Sequence, residues 1–406
     1  GSEPVIIAER HNRIRRLPMM EQIAATRAVK DLVAAHDYLG AIQARGASFG
    51  RMLELFETMS TPPAEPATDT GSTPSASDRP KRVAIIHAGG LAPGMNTAAR
   101  AAVRLGIDHD FTMLGVYGGF PGLLDGDVHE LTWADVEGWV GDGGAQLGTR
   151  REVPTIEQLY ALGRAIELHE IDALLVIGGY NAYLSAYRLV TERDRYPAFQ
   201  IPIVCVPASI DNNLPGSELS IGTDTALNNA VVALDSIKLS AAASHRCFVA
   251  EVMGRKCGYL SLMSGLATGA EKVYLNEEGI TLKGLAADSE RMVSSFRSGR
   301  SLYLVIRNER ASVNYTTDVL AHIFAEEGKG LYDVREAILG HQQQGGSPTA
   351  FDRIMATKLV AHSLELLACA LKRGEPTASY VGLVGGKVSN QPLDRMNDDL
   401  DRDNRR

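Results

Sequence analysis

The sequence is poor in several features. It has only four cysteines, Cys205, Cys247, Cys257 and Cys369, with no CxxC pair among them. Scattered thiols of this kind are expected to be buried and reduced, as in a cytosolic protein. No apolar run approaches the roughly 18–20 residues that a membrane span needs, so no membrane partner is expected. The opening GSEPVIIAERHNRIRR has charges where a signal peptide has its apolar centre, which points to the cytoplasm rather than secretion. A basic excess is also missing. The net charge is −8 and the pI about 5.7, which argues against nucleic acid as a partner.

What is present suits an enzyme-like globule. The 406 residues are 45% hydrophobic and 22% charged, enough chain for two to four structural units with a sizeable core. Forty glycines, many paired, with only 6% aromatics fit an α/β fold rich in tight strand-to-helix turns.

Residues 1–60 begin with the short apolar run Val5-Ile6-Ile7-Ala8, a strand with no evident local partner. Helical periodicity follows through Leu17, Met20, Ile23, Ala28 and Leu32, and again around Leu53–Phe56. This segment reads as the tail of a preceding unit. Residues 61–82 are rich in Pro, Ser and Thr and read as a disordered linker. A new domain starts at Val83-Ala84-Ile85-Ile86, a buried-strand signature leading into a helix over Met95–Leu105. Strand-like runs recur at Met113–Tyr117, Ala173–Ile177, Ile203–Val206, Phe248–Val252 and Tyr303–Ile306. Helical stretches lie between them, at Ile156–His169, Tyr183–Glu192, Ala226–Ser240 and Thr317–Glu327. This alternation predicts doubly wound, mostly parallel α/β sheets, with ligands bound on the turns after the strands.

Three such turns stand out. The first is His87-Ala88-Gly89-Gly90-Leu91-Ala92-Pro93-Gly94. Paired glycines let backbone N–H groups approach a phosphate, although any tight strand-to-helix turn uses the same residues. The second is Gly178-Gly179-Tyr180-Asn181, and the third Pro207-Ala208-Ser209-Ile210-Asp211-Asn212-Asn213. Asp211 is the sole carboxylate on them, and a turn Asp is more often a backbone cap than a base. Neither GxGxxG nor a Walker A loop is present, which disfavours a dinucleotide oxidoreductase. Downstream, Arg255, Arg307, Arg310, Arg335, His341 and three glutamines cluster around further turns. Arginines for phosphate and Gln and Glu for hydroxyls suit a sugar phosphate.

The motifs GGLAPGMN, GGYNA, PASIDNN, EVMGRKCGYL and LGHQQQGGSPTAFDR, in this order from Val83 onward, resemble the phosphofructokinase family. The resemblance implies the two-lobed phosphofructokinase fold. Its larger lobe would be about 83–222 and 343–390, and its smaller lobe about 223–342 and 391–406. Asp142–Arg151, Ile221–Ala226, Arg307-Asn308-Glu309 and Asn314–Thr317 are similar to the second, regulatory half of the long duplicated eukaryotic-type enzyme. Asn12–Glu21 is similar to the end of the catalytic half. The resemblance therefore implies a 6-phosphofructokinase of glycolysis, with ATP and magnesium as cofactors of the whole enzyme. Expected partners are the catalytic half and further copies of the chain in a homo-oligomer, a tetramer.

The departures from the active pattern are informative. Leu91 stands where active members have an Asp, and Tyr180 where an Asp holds magnesium, so no cofactor is expected in this half. Bulky Asn181 replaces a glycine on the nucleotide side. Asp211 keeps the position of the family's catalytic base, whereas regulatory halves usually carry Ser there; Asn213 matches the regulatory form. Arg255 stands where the regulatory half usually has Gly. The resemblance implies that fructose 2,6-bisphosphate is the effector. Its contacts would be Arg151, Ser209, Ile210, Asp211, Asn212, Asn213, Arg246, Met253, Gly254, Arg255, Glu309, Arg335, His341, Gln342, Gln343, Gln344 and, by spacing, Arg405. Arg246 and Arg335 would reach into a neighbouring subunit's site. The other reading left open is a sugar-phosphate kinase with an unusual phosphoryl donor and Asp211 as base.

Overall fold

The structure is a computed structural model and describes residues 4–10, 13–63, 79–242 and 245–396. It opens with a hairpin, β1 (Val5–Arg10) and β2 (Arg13–Pro18), then helices α1 (Met19–Ala34), α2 (Tyr38–Ala44) and α3 (Ala47–Ser60). The expected lone strand therefore has a local partner, since Val5 lies opposite Pro18 and Ala8 opposite Arg15. With arginines at three of its six positions, β2 carries no apolar alternation, and its pairing is a matter of backbone hydrogen bonds. Helix α3 is fastened to the main body at its end. Met59 is buried, and Arg104 Nη1 donates to its carbonyl at 2.7 Å while the guanidinium lies over the Trp133 ring.

Residues 64–78 of the expected linker lie outside the described residues. Its last residues are packed rather than loose: Arg79 Nη1 and the Arg82 N–H both reach Asp172 Oδ2 at 2.8 Å. Strand and helix then alternate. β3 (Arg82–Ala88), α4 (Met95–Asp108), β4 (Thr112–Val116), α5 (Gly119–Asp125), β5 (Val128–Glu130) and α6 (Leu159–Leu168) come first. β6 (Ala173–Gly178), α7 (Tyr180–Thr191), β7 (Ile203–Pro207) and the long helix α8 (Thr223–Ala242) follow. Next are β8 (Arg246–Val252), α9 (Tyr259–Thr268), β9 (Lys272–Tyr274), α10 (Leu282–Arg297), β10 (Leu302–Asn308), α11 (Thr317–Gly328) and β11 (Asp333–Ile338). The chain returns through α12 (Ala350–Arg373), β12 (Ala378–Val384) and β13 (Lys387–Pro392).

Two larger sheets result. The first has seven strands in the order β13-β12-β7-β6-β3-β4-β5, parallel from β12 to β4 with an antiparallel strand at each edge. The second has four parallel strands in the order β11-β8-β10-β9. Runs such as Val83–Ile86 and Ala173–Ile177 are apolar throughout because helices cover both sheet faces. Gln391 and Pro392 complete β13 of the first sheet, and Leu393 and Met396 are buried in its core. This corrects the expectation that 391–406 belongs to the smaller lobe, at least as far as Met396.

One apolar core runs through both sheets. It holds Val83, Ile85 and Val206 of the first, Ala250, Leu304 and Ile306 of the second, and Met355, Leu359, Leu364 and Leu367 of α12 between them. Contrary to the sequence reading, α12 is long and apolar enough by length and composition to cross a membrane, with a mean hydropathy of 1.5. Half of that stretch is buried in the protein, as befits a core helix. Of the cysteines, Cys205 and Cys247 are buried, and burial pushes both thiols well up; Cys369 is exposed, against expectation.

Candidate functional site

In the first sheet the chain leaves β3 for β4 on one side and later builds β6 and β7 on the other. The ends of β3 and β6 therefore form a topological switch point, where a crevice opens. The two turns that follow these strands nearly touch. Gly89 has φ of 99°, and a Cβ there would lie 3.3 Å from the Gly179 nitrogen; one on Gly178 would lie 1.9 Å from the Ala88 carbonyl oxygen. Only glycine permits this approach.

Arg151 is carried to the crevice by the Asp142–Arg151 segment. Asn96, fully buried at the start of α4, holds that segment: its amide donates to the Gly143 carbonyl at 2.9 Å and accepts from the Gln146 N–H at 2.6 Å. The Gly89 N–H then donates to the Arg150 carbonyl at 2.7 Å, and Asn181 Nδ2 donates to the Arg151 carbonyl. The third turn is shaped by Asn212, at φ of 52°, whose amide accepts from the Ser220 N–H and donates to the Glu218 carbonyl, both at 2.9 Å. Thr223 Oγ1 fixes the Ser209 carbonyl at 2.9 Å.

The start of α8 is clasped from α12. Buried Asp352 accepts from the Gly222 N–H at 2.9 Å, the Thr225 N–H at 2.8 Å and the Thr225 hydroxyl at 2.6 Å. Desolvation raises its pKa, and these hydrogen bonds oppose the rise. From the second sheet, Asn308 Nδ2 donates to the Cys257 carbonyl at 3.0 Å, and the Glu309 carboxylate accepts from the Arg255 N–H at 2.7 Å. Arg307 is buried, and Nη1 pairs with Glu251 at 2.7 Å while Nη2 holds the Ser312 carbonyl at 2.6 Å, so this motif is a scaffold for the 312–315 loop.

These elements enclose a cavity of about 680 Å³ between the two sheets. Of the sequence-derived residues, it brings together Arg151, Ser209, Ile210, Asp211, Asn213, Met253, Arg255, Glu309, His341 and Gln344. Asn212 and Gly254 shape the turns beside it. Gln343 faces inward, with Nε2 on the Gly340 carbonyl at 3.1 Å, and Gln342 uses its carbonyl on Asn229 at 3.3 Å. Arg246 and Arg335 lie elsewhere, on either side of Asp333 at 3.8 and 4.0 Å on the second sheet. Arg405 lies outside the described residues.

Lys256, Asn276 and Val313 also line the cavity and were missed, and Arg310, read among the arginines around these turns, was left out of the expected contacts. Lys256 lies inside the EVMGRKCGYL motif, which was a usable signal; Asn276 and Val313 carried none. The wall is asymmetric. The first sheet's side contributes the neutral Leu91, Tyr180 and Asn181 with the charged Arg151 and Asp211, and the second lobe contributes the cations Arg255, Lys256 and Arg310 with the carboxylate Glu309. Asn213 Oδ1 is buried with no hydrogen-bond partner among the described residues, an acceptor suited to a ligand hydroxyl. Magnesium needs several oxygen ligands, carboxylates foremost. An alkyl group, a phenol and an amide at Leu91, Tyr180 and Asn181 do not fit it.

Fold and cavity together define a two-lobed α/β protein with a cationic, hydroxyl-accepting cleft between its sheets. The phosphofructokinase family model matches residues 82–367, and the chain belongs to that family. It is 40% identical over 401 residues to an ATP-dependent 6-phosphofructokinase of Dictyostelium discoideum, covering 98% of this chain and 47% of that protein. It is 39% identical over 369 residues to the human platelet-type ATP-dependent 6-phosphofructokinase, covering 90% and 46%. Among solved structures, the Pichia pastoris phosphofructokinase in the T-state superposes with a TM-score of 0.91 at 30% identity, covering 100% of this chain and 47% of that one. The chain spans about half the length of the curated relatives it matches.

Proposed function

We propose that this chain is the regulatory half of a glycolytic ATP-dependent 6-phosphofructokinase and binds fructose 2,6-bisphosphate as an allosteric activator. The whole enzyme would convert ATP and fructose 6-phosphate to fructose 1,6-bisphosphate. One observation carries the reading: the cavity gathers Arg151, Arg255, Lys256 and Arg310 with His341 and Gln344, while Leu91 and Tyr180 put no carboxylate on its first two turns. The cations match two phosphates, and Asn213 and Gln344 match sugar hydroxyls. Arg246, half-buried, and Arg335, exposed, both lie away from the cavity and suit the completion of a neighbouring subunit's site in a tetramer. The ordered 13–60 segment would join this half to its catalytic partner.

A second reading rests on Asp211, which lines the same cavity at the family's base position. In that reading this half transfers phosphate itself from an unusual donor. Calorimetric titration and a coupled kinase assay on the same protein separate the two. Fructose 2,6-bisphosphate should bind without ATP-dependent turnover, and Arg151→Ala and His341→Ala should each weaken it about tenfold or more, the scale of a lost charge-assisted contact. Turnover abolished by Asp211→Asn would favour the second reading instead.

A further inference from the structure

Helix α4 has one end at the cavity and the other at the tail of the preceding segment. It starts at Met95, soon after the glycine turn whose Gly89, Gly90 and Leu91 line the cavity. Along its length it grips the stretch that leads from β5 to Arg151. Asn96 holds Gly143 and Gln146, Thr97 Oγ1 donates to the Val140 carbonyl at 2.9 Å, and the Arg104 guanidinium lies 4.3 Å over the Trp133 ring. Arg104 is about 12 Å along the helix from Asn96. The helix and this stretch form one stave, with cavity-lining Arg151 at one end and Arg104 at the other. Arg104 serves α3. That helix has no basic residue in its last turn, and its final carbonyls lack helical partners. Arg104 Nη1 donates to one of them, on Met59, at 2.7 Å, at the negative end of the α3 dipole.

Arg104 is 8% exposed, its Nε has no hydrogen-bond partner among the described residues, and desolvation lowers its pKa against the opposing charge of Glu137. A cation so buried depends on the Met59 carbonyl, and once α3 lifts, water takes the carbonyl's place. The seat is small. α1 buries no residue, α2 only Ala41 and α3 only Met59, and the Arg51–Glu365 pair is exposed. Seated and released α3 are therefore two states of modest separation. Resting on the anion-binding reading of the cavity, we propose that Arg104 couples the two ends of the stave: an anion in the cavity strengthens the seating of α3, and a seated α3 strengthens anion binding. An anion fixes Arg151 and the first glycine turn, which orders α4 and the 133–151 stretch, and a seat already ordered costs less to occupy. By linkage the two effects are equal in factor. The preceding unit thereby senses the ligand through its own last helix.

The test combines hydrogen–deuterium exchange of the α3 amides Glu54–Ser60 with calorimetric titration, both on the full 406-residue chain. The probes are fructose 2,6-bisphosphate and, separately, inorganic pyrophosphate. In the parent, a saturating anion should slow α3 exchange about fivefold, the low end of ordinary coupling. Arg104→Met keeps the apolar stem and removes the charge and its donors. It should abolish that slowing and weaken the anion about fivefold. Arg104→Lys should restore part of both effects. Trp133→Leu, which removes only the ring under the guanidinium, should reduce both, and it carries the test if Arg104→Met loses the parent's thermal midpoint. Faster α3 exchange in Arg104→Met, equal with and without anion and at unchanged affinity, would mark a latch without coupling and overturns the proposal. Anion binding by the parent with no change in α3 exchange also overturns it and leaves the site reading standing. Coupling with pyrophosphate, alongside no bisphosphate binding, upholds the coupling and sinks the sugar-bisphosphate reading. A parent that binds neither anion overturns both.

Discussion

Mild acid should weaken this fold through one histidine. His87 lies on β3 just ahead of the first glycine turn and is fully buried. Burial pushes its imidazole pKa down from 6.5 to about 4, and a backbone contact from Met95 opposes the shift without outweighing it. In the unfolded chain the ring titrates at its ordinary value and takes up a proton first as pH falls. The stability held by the neutral, buried ring is therefore complete above pH 6.5 and is lost as pH drops toward 4. Linkage over that interval gives a loss of about 2 kcal/mol at pH 5 and about 3 kcal/mol at pH 4. The assay is equilibrium urea unfolding of the parent and of His87→Leu at pH 7 and pH 5, read by fluorescence and circular dichroism. Other titrating groups act equally in both proteins and cancel in the difference. The parent should lose about 2 kcal/mol more than the variant between the two pH values. Equal losses in the two proteins would refute the argument.

Two further outcomes follow from the site's scaffold and its departures. Asp352→Ala leaves the buried Gly222 and Thr225 N–H groups without their acceptor and should cost about 3 kcal/mol in urea unfolding, with Asp352→Asn milder because one acceptor oxygen remains. Tyr180→Asp alone should not create measurable ATP-dependent kinase turnover, because Leu91 and Asn181 still occupy the nucleotide side; a coupled assay above background would contradict this.

Much of this architecture could be read from the chain because buried parallel strands announce themselves. Val83–Ile86, Ala173–Ile177 and Ile203–Val206 are apolar on both faces, and the last two end at Gly178 and Pro207, so they stand out singly. The edge strands did not. In β11, Asp333, Arg335 and Glu336 face solvent, and β2 is arginine-rich, so their pairing depends on neighbours distant from any local pattern. The site followed the same rule. Residues inside quoted motifs, such as Arg151, Asp211 and His341, were found and do share one cavity. Asn276 reaches it only because β9 lies beside β10, a tertiary fact with no local signature. Arg246 was singled out by resemblance alone, and Arg335 also by its place ahead of the glutamine-rich turn; within this chain both lie beside Asp333.

The place of α12 has a consequence for how the chain comes off the ribosome. Its buried face, from Met355 to Leu367, packs into the same core as Val83 and Ile85, which are made near the start of the domain. Until α12 emerges, the β6–β7 part of that sheet face and the outer side of α4 have no permanent cover. At usual translation speeds the wait is roughly half a minute, with an apolar surface open to chaperones or to a second nascent chain. Contacts between parts so far apart in sequence also slow the final closure. A truncation ending before Ala350 would thus lack the helix that covers the sheet, and it should accumulate as aggregate rather than as a smaller folded lobe.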